Sequence, residues 1–300
     1  MHMTNRREKA PDRAVSEGRI LVAGAGTMGY GIAAACALGG FQVVMTSRRK
    51  ESLDKGLSNA RRDLSQMAKD GLITREEAAA ALERIQVSTD LSAGRSAAFV
   101  LETITEDLAA KQELLSQLDK LCPPETIFAS DISTLSIAAL GRATKRPDRV
   151  IGLHFFTPVP IQKLAEVIRS VDTSDGTFSA ACRLAGQLGK TVVQAPDRPG
   201  FIVNRVASHT WNEALQLIAE GVSPQDIDTA MKLGTNAQLG PAELIDLCGA
   251  DTMLNVIETL YDGFRDPKFR PNPLLKKMVE AGRLGRKTGR GFYDYKEGAT

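Results

Sequence analysis

A short apolar run, Arg19-Ile-Leu-Val-Ala23, passes directly into Gly24-Ala-Gly-Thr-Met-Gly29 and then into small apolar residues from Ile32 to Leu38. The next apolar run is Gln42-Val-Val-Met45. Strand, glycine turn, buried helix and strand in that order is the context in which G-x-G-x-x-G spacing specifies a dinucleotide-binding unit. Each glycine has a separate task. Gly24 permits the tight turn, Gly26 lets the backbone approach a pyrophosphate, and Gly29 allows the helix to pack close to the strand. The helix N-terminus, at Thr27 and Met28, supplies free N–H groups for the anion.

The second strand fixes which dinucleotide is expected. An Asp or Glu about 20 residues beyond the glycines accepts hydrogen bonds from the ribose 2′-hydroxyl in NAD sites. Here the strand runs into Thr46-Ser47-Arg48-Arg49-Lys50, with no carboxylate before Glu51. A carboxylate repels a 2′-phosphate, whereas the Ser47 hydroxyl and the Arg48 and Arg49 guanidinium groups bind it by charge-assisted hydrogen bonds. The expected cofactor is therefore NADP(H) in preference to NAD(H).

Further along, a charged helical pattern over residues 51–85 breaks at Asp70-Gly71, predicting a helical hairpin inserted between strands. On it, Arg61 and Lys69 are either ligand contacts for an acidic substrate or part of a solvated face. Strand candidates recur at Gln86–Ser88, Ala97–Glu102, Thr126–Ser130, Arg149–Phe156 and Thr191–Gln194, with helical stretches such as Leu108–Leu121 and Phe178–Leu188 between them. Such alternation predicts a Rossmann-type α/β domain with a doubly wound, mostly parallel sheet over residues 19–198. From Asp197-Arg-Pro-Gly200 onward the pattern is helical, including Ile202–Glu220, Pro224–Lys232 and Leu244–Tyr261, so residues 199–300 form an all-α domain. Residues 1–18 read as a polar, disordered leader without the apolar segment of a secretory signal.

Charge narrows the function classes. Lys and Arg number 38 against 36 Asp and Glu, a net charge of +2, too balanced to argue for nucleic acid or a membrane surface. The uncharged stretch Ile20–Ser47 is broken by several glycines, and Met28–Val44, its mostly apolar part, falls short of the roughly 20 residues of a membrane span. Cys36, Cys122, Cys182 and Cys248 form no C-x-x-C pair and read as reduced, buried thiols of a cytoplasmic protein. Neither they nor the three histidines show metal-ligand spacing.

One histidine stands apart. His154 ends the apolar run Val150–Phe156, a proline-rich turn follows, and a second short apolar segment carries Glu166. Two strands joined by that turn bring a carboxylate back to the imidazole. A carboxylate on one ring nitrogen fixes the tautomer and favours the imidazolium, as a general acid/base at neutral pH requires. Read alone, the plainer reading is a core histidine near an unrelated surface glutamate.

At His154-Phe-Phe-Thr-Pro-Val-Pro and Pro199-Gly-Phe-Ile-Val-Asn-Arg205 the chain resembles 3-hydroxyacyl-CoA dehydrogenases, and within them the short bacterial 3-hydroxybutyryl-CoA dehydrogenases. The resemblance runs from about Arg19 to Tyr295 and includes Ser133-Thr-Leu-Ser-Ile137, Lys163-Leu-Ala-Glu-Val167 and Gly285-Arg-Lys-Thr-Gly-Arg-Gly-Phe-Tyr-Asp-Tyr295. It implies His154 and Glu166 as the catalytic pair and Ser133 and Asn204 as the residues that polarise the substrate oxygen, in an interdomain cleft. It also implies cofactor contacts from Glu106, Lys111 and Lys287, which by residue type alone are equally surface charges. A homodimer through the helical domain and a 3-ketoacyl or (S)-3-hydroxyacyl thioester of CoA as substrate follow from the same resemblance.

Three segments depart from the family pattern. Ser130-Asp-Ile-Ser-Thr134 stands where relatives read Ser-Asn-Thr-Ser-Ser, Thr157 where they read Asn, and Ala237-Gln-Leu-Gly-Pro241 where they read His-Pro-Met-Gly-Pro. Asp131 thus introduces a negative charge, and the nicotinamide contact given by that Asn does not carry over to Thr157. These changes motivate one rival, a relative acting on an acyl-carrier-protein thioester or a free hydroxy acid. A rival of a different class, a non-catalytic nucleotide-binding protein that kept the fold, is opposed by the intact Ser133, His154, Glu166 and Asn204.

Overall fold

The computed structural model describes residues 18–295, so the leader expected over residues 1–18 lies outside them except for Gly18. The chain divides between Asp197 and Arg198 into two compact units.

In the first unit eight strands form one sheet: β1 (Arg19–Ala23), β2 (Val43–Thr46), β3 (Ile85–Ser88), β4 (Ala97–Glu102), β5 (Ile127–Ser130), β6 (Val150–Phe155), β7 (Leu164–Arg169) and β8 (Thr191–Pro196). Their order is β3-β2-β1-β4-β5-β6-β7-β8. Every pairing is parallel except β6 with β7. From β1 the chain builds outward to β3 and then returns to β4 on the other side. The order thus reverses between β1 and β4, which opens a crevice at their carboxyl ends. Helices α1 (Thr27–Leu38), α2 (Lys50–Lys69), α3 (Arg75–Glu83), α4 (Leu108–Leu121), α5 (Ile137–Gly141) and α6 (Asp175–Gln187) connect the strands. Val22, Met45, Leu101, Ile151 and Val167 of the sheet share a buried core with Ile32 and Leu64 of the helices.

The inserted hairpin forms as expected, because Thr74 caps α3 through a reciprocal bond with Glu77 just after Gly71 turns at φ +71°. Strand limits differ from the sequence reading by one or two residues. The expectation that all four thiols are buried needs correction. Cys36 and Cys122 are buried free thiols, but Cys182 is half-buried and Cys248 exposed; helix-forming neighbours say nothing about which face a side chain takes. No helix among the described residues is long and apolar enough to cross a membrane.

The second unit contains α7 (Val203–Ala219), α8 (Pro224–Thr235), α9 (Pro241–Cys248), α10 (Ala250–Phe264) and α11 (Pro273–Glu280). Trp211, Leu215, Ile245, Met253, Ile257, Leu260 and Phe269 form its core. The single helix expected over Leu244–Tyr261 is two helices, α9 and α10. They are separated at Gly249, whose φ of +101° no helical residue adopts. Its amide closes α9 on Ile245 and its carbonyl starts α10 at Met253.

Candidate active site

The turn after β1 is shaped by what surrounds its glycines. Gly24 has φ +130°, and a Cβ there would lie 2.3 Å from Thr103 Oγ1. At Gly29 a Cβ would come within 2.2 Å of the Gly24 carbonyl oxygen. These two positions admit only glycine because β1, β4 and α1 pack backbone to backbone. Gly26 differs, since an added Cβ would meet nothing within 4 Å. It is the N-cap of α1 and contributes no side-chain cap. Open space beside uncapped N–H groups at Thr27 and Met28 fits a dinucleotide pyrophosphate.

His154 is placed by strand pairing. In the antiparallel register of β6 and β7 it stands opposite Glu166. Its Nδ1 lies 2.8 Å from Glu166 Oε2, with His154 6% and Glu166 1% exposed. An ionised carboxylate accepts a hydrogen bond only from a protonated Nδ1, which leaves Nε2 as the nitrogen that exchanges a proton. Ser133 Oγ lies 3.4 Å from that Nε2. The Phe156 ring packs against the imidazole at 4.6 Å between centroids. Ring, carboxylate and hydroxyl therefore meet on three different elements, with the reactive nitrogen turned toward Ser133.

The loop carrying Ser133 is held from below by charge. Glu106 Oε1 accepts the amide of Ser133 at 2.9 Å and the amide and hydroxyl of Thr134 at 3.0 and 3.1 Å. Lys111 is 0% exposed. Its Nζ bridges both oxygens of Glu102, at 2.8 and 2.9 Å, and lies 3.6 Å from Glu106. Glu102 in turn accepts the Ser130 hydroxyl and the Ile104 amide. The reading of Lys111 and Glu106 as surface charges is thus replaced for Lys111, which is the buried counter-ion of this network. One signal was available in the sequence: Lys111 shares with Leu115 and Leu118 the buried stripe of α4.

Asp131 and Thr157, two of the departures from the family pattern, both make local bonds. Asp131 Oδ1 accepts the Phe155 amide at 2.9 Å. Thr157 Oγ1 donates to Met28 Sδ at 3.1 Å, tying the loop after β6 to the first turn of α1. Lys190 was not anticipated. Its Nζ donates to the carbonyls of Val159 and Gln162 in the turn between β6 and β7. Asp197 likewise caps α5 through the amides of Ile137 and Ala138.

The remaining expected site residues are dispersed. Arg48 and Arg49 are exposed and Ser47 half-buried at the end of β2, where Ser47 Oγ accepts the Arg49 amide at 3.5 Å. Arg61 and Lys69 are exposed on α2. In the second unit Asn204 occupies the first turn of α7. Lys287 pairs with Asp251 Oδ2 at 2.7 Å and draws the Asp251 carboxyl below its usual range, although burial opposes that shift. Ala237-Gln238-Leu239 lies between α8 and α9. No group of three His, Cys, Asp or Glu among the described residues is placed to hold a metal ion.

A doubly wound sheet with a glycine turn at its switch point, and a histidine–carboxylate pair at the carboxyl end of β6, define a nicotinamide-dependent oxidoreductase. Comparison with known proteins places it more closely. The family sequence profile for 3-hydroxyacyl-CoA dehydrogenase, NAD binding domain, matches residues 19–198, and that for the C-terminal domain matches residues 200–295. A probable 3-hydroxybutyryl-CoA dehydrogenase of Bacillus subtilis is 46% identical over 280 residues, 93% of this chain and 98% of that protein. A 3-hydroxybutyryl-CoA dehydrogenase of Bradyrhizobium diazoefficiens is 43% identical over 93% of this chain and 95% of its own length. Among solved structures, the (S)-3-hydroxybutyryl-CoA dehydrogenase of Ralstonia eutropha superposes with a TM-score of 0.87 at 44% identity, covering 94% of this chain and 100% of that one. The chain belongs to the 3-hydroxyacyl-CoA dehydrogenase family.

Proposed function

We propose that this enzyme interconverts a short-chain 3-ketoacyl-CoA and the corresponding (S)-3-hydroxyacyl-CoA, of the acetoacetyl and 3-hydroxybutyryl type, with NADP(H) preferred over NAD(H). The names of the relatives support the substrate class. The observation that carries the chemistry is the arrangement Glu166–His154–Ser133, with Nδ1 on the carboxylate and Nε2 facing the hydroxyl. When bound, the reduced cofactor supplies the hydride that becomes the new C–H bond at C3. His154 donates its Nε2 proton to the ketone oxygen as negative charge develops there, and in oxidation it takes the 3-hydroxyl proton. Glu166 holds the ring orientation and offsets the imidazolium charge. Ser133 donates a hydrogen bond to the same oxygen, and the resemblance assigns Asn204 a second. Such donors are each worth about 10²–10³ in rate.

The cofactor preference rests on the absence of a carboxylate at the end of β2 and the presence there of Ser47 and two exposed arginines. Oxidation of NADPH and NADH should be followed side by side with acetoacetyl-CoA. Faster turnover with NADPH is expected, and Arg48→Ala with Arg49→Ala should weaken NADPH roughly tenfold or more while sparing NADH. A preference for NADH would overturn the assignment to NADP. No turnover with either would favour an acyl-carrier-protein thioester or a free hydroxy acid. Homodimer formation through the helical unit belongs to the same reading. Val206 and Leu233 are 66% and 81% exposed there, and sedimentation would test it.

A further inference from the structure

The site contains a carboxylate that the acid/base pair does not use. Asp131 follows the last residue of β5, one step beyond Ser130, which pairs with Gly152 of β6. Its amide donates to the Glu102 carbonyl of β4 at 2.8 Å, and its Oδ1 accepts the Phe155 amide of β6 at 2.9 Å. Phe155 is the residue after His154, so the carboxyl is fixed on the backbone that carries the imidazole. Both bonds come from rigid strands, and neither neutralises the charge.

Three other ionisable groups act on it: His154, Lys111 and Glu106. His154 of β6, whose Nδ1 is bonded to Glu166 of β7, favours the charged form of Asp131. Lys111 of α4 also favours the charged form and Glu106, ahead of α4, opposes it, while Lys111 holds both oxygens of Glu102 of β4. Lys111 therefore has two glutamates to balance before it can serve Asp131. That leaves the imidazolium as the cation through which an ionised Asp131 gains most.

We propose that Asp131 is a positioning residue for the reaction: held on the Phe155 amide, its carboxylate biases the neighbouring His154 toward the protonated, proton-donating form. The proposal rests on the acid/base role given to His154 above. Burial pushes the Asp131 carboxyl up to about 6, against the opposing pull of His154, the Phe155 amide and Lys111. At neutral pH it is therefore mostly charged. Coupling between two titrating sites is reciprocal, so each should feel the other to the same extent.

Two measurements on the intact protein separate the proposal from the reading beneath it. The first needs no turnover: the Asp131 carboxyl, assigned by its loss in Asp131→Asn, is titrated by carbon NMR in the wild type and in His154→Asn. Its midpoint should rise by on the order of one pH unit when the imidazole is removed. A change smaller than about 0.2 unit would overturn the proposal. The second is the pH profile of acetoacetyl-CoA reduction in Asp131→Asn, which keeps the oxygen on the Phe155 amide and deletes only the charge. The alkaline fall in rate should begin on the order of one pH unit lower than in the wild type. If the carboxyl titration moves and the rate profile does not, the bias on His154 stands and its acid/base assignment falls. Asp131→Ala, which also loses the anchor, should add a drop in kcat that Asp131→Asn does not show.

Discussion

His154 and Glu166 face each other across the antiparallel pairing of β6 with β7, and their side chains close to 2.8 Å between Nδ1 and Oε2. Twelve residues of chain separate them, yet the strand register alone brings them together. Because β6 and β7 are both buried, a shift of one residue would turn the whole strand inside out. The register is therefore as secure as the core that sets it.

Glu166→Gln keeps an oxygen on Nδ1 and removes the charge. The expected result is a fall in kcat of about 10–10² with little change in KM for the thioester, and an alkaline fall in the reductive rate that begins at lower pH. Unchanged kinetics across pH would mean that the pair is a structural contact.

Gly24→Ala and Gly26→Ala should fail in different ways. At Gly24 the substitution meets Thr103 at 2.3 Å and requires φ +130°, so a loss of roughly 1–3 kcal/mol in stability is expected. At Gly26 the methyl enters open space, and the cost to stability should stay under about 1 kcal/mol. Dinucleotide affinity, read by fluorescence titration, should nevertheless fall tenfold or more, because the methyl would enter the space proposed for the pyrophosphate. Thermal unfolding of both variants provides the comparison.

Lys111→Met would leave Glu102 buried without its counter-ion, at a cost of about 3–5 kcal/mol. The double variant Lys111→Met/Glu102→Gln should recover much of that loss, since no buried charge remains. Denaturant midpoints of the three proteins decide the matter. A single variant as stable as the wild type would show that Glu102 is solvated or protonated there.

Lys190 gives a pH-dependent stability of defined sign. Burial, aided by the nearby Lys163 charge, lowers its pKa from 10.5 to about 8. Between those values the unfolded chain binds more protons than the folded one, so this contribution strengthens as pH rises through the window and is lost again as pH falls through 8. The melting temperature of the wild type relative to Lys190→Met should therefore climb from pH 8 to 10. A flat difference would mean that the two carbonyls it bridges hold Lys190 fully charged.

How much of this was legible follows from the range of the forces involved. Local physics marked the Gly24–Gly29 turn, since backbone crowding between adjacent elements demands glycine there. Hydrophobic period and turn chemistry likewise marked the strands, the hairpin over residues 51–85 and the change to helices near Asp197. The helix over Leu244–Tyr261 was misread because its interruption at Gly249 depends on one residue adopting φ +101°, while the apolar period continues on both sides. Cys248 was misplaced for a related reason: helical propensity does not determine which face meets solvent.

The sequence by itself determined the domain classes, the dinucleotide turn and the identity of His154, Glu166 and Ser133 as candidates, because each is a matter of residue type and local spacing. Only the tertiary structure decided how they meet. Pairing of β6 with β7 sets Glu166 on Nδ1, and the Glu106 bonds to the Ser133 loop bring its hydroxyl toward Nε2. Packing likewise turned Lys111 from a helix charge into the buried partner of Glu102, and set Asp131 on the amide next to His154. Those outcomes depend on strands and loops distant in sequence, and on the requirement that every buried charge find a partner, which no local pattern records.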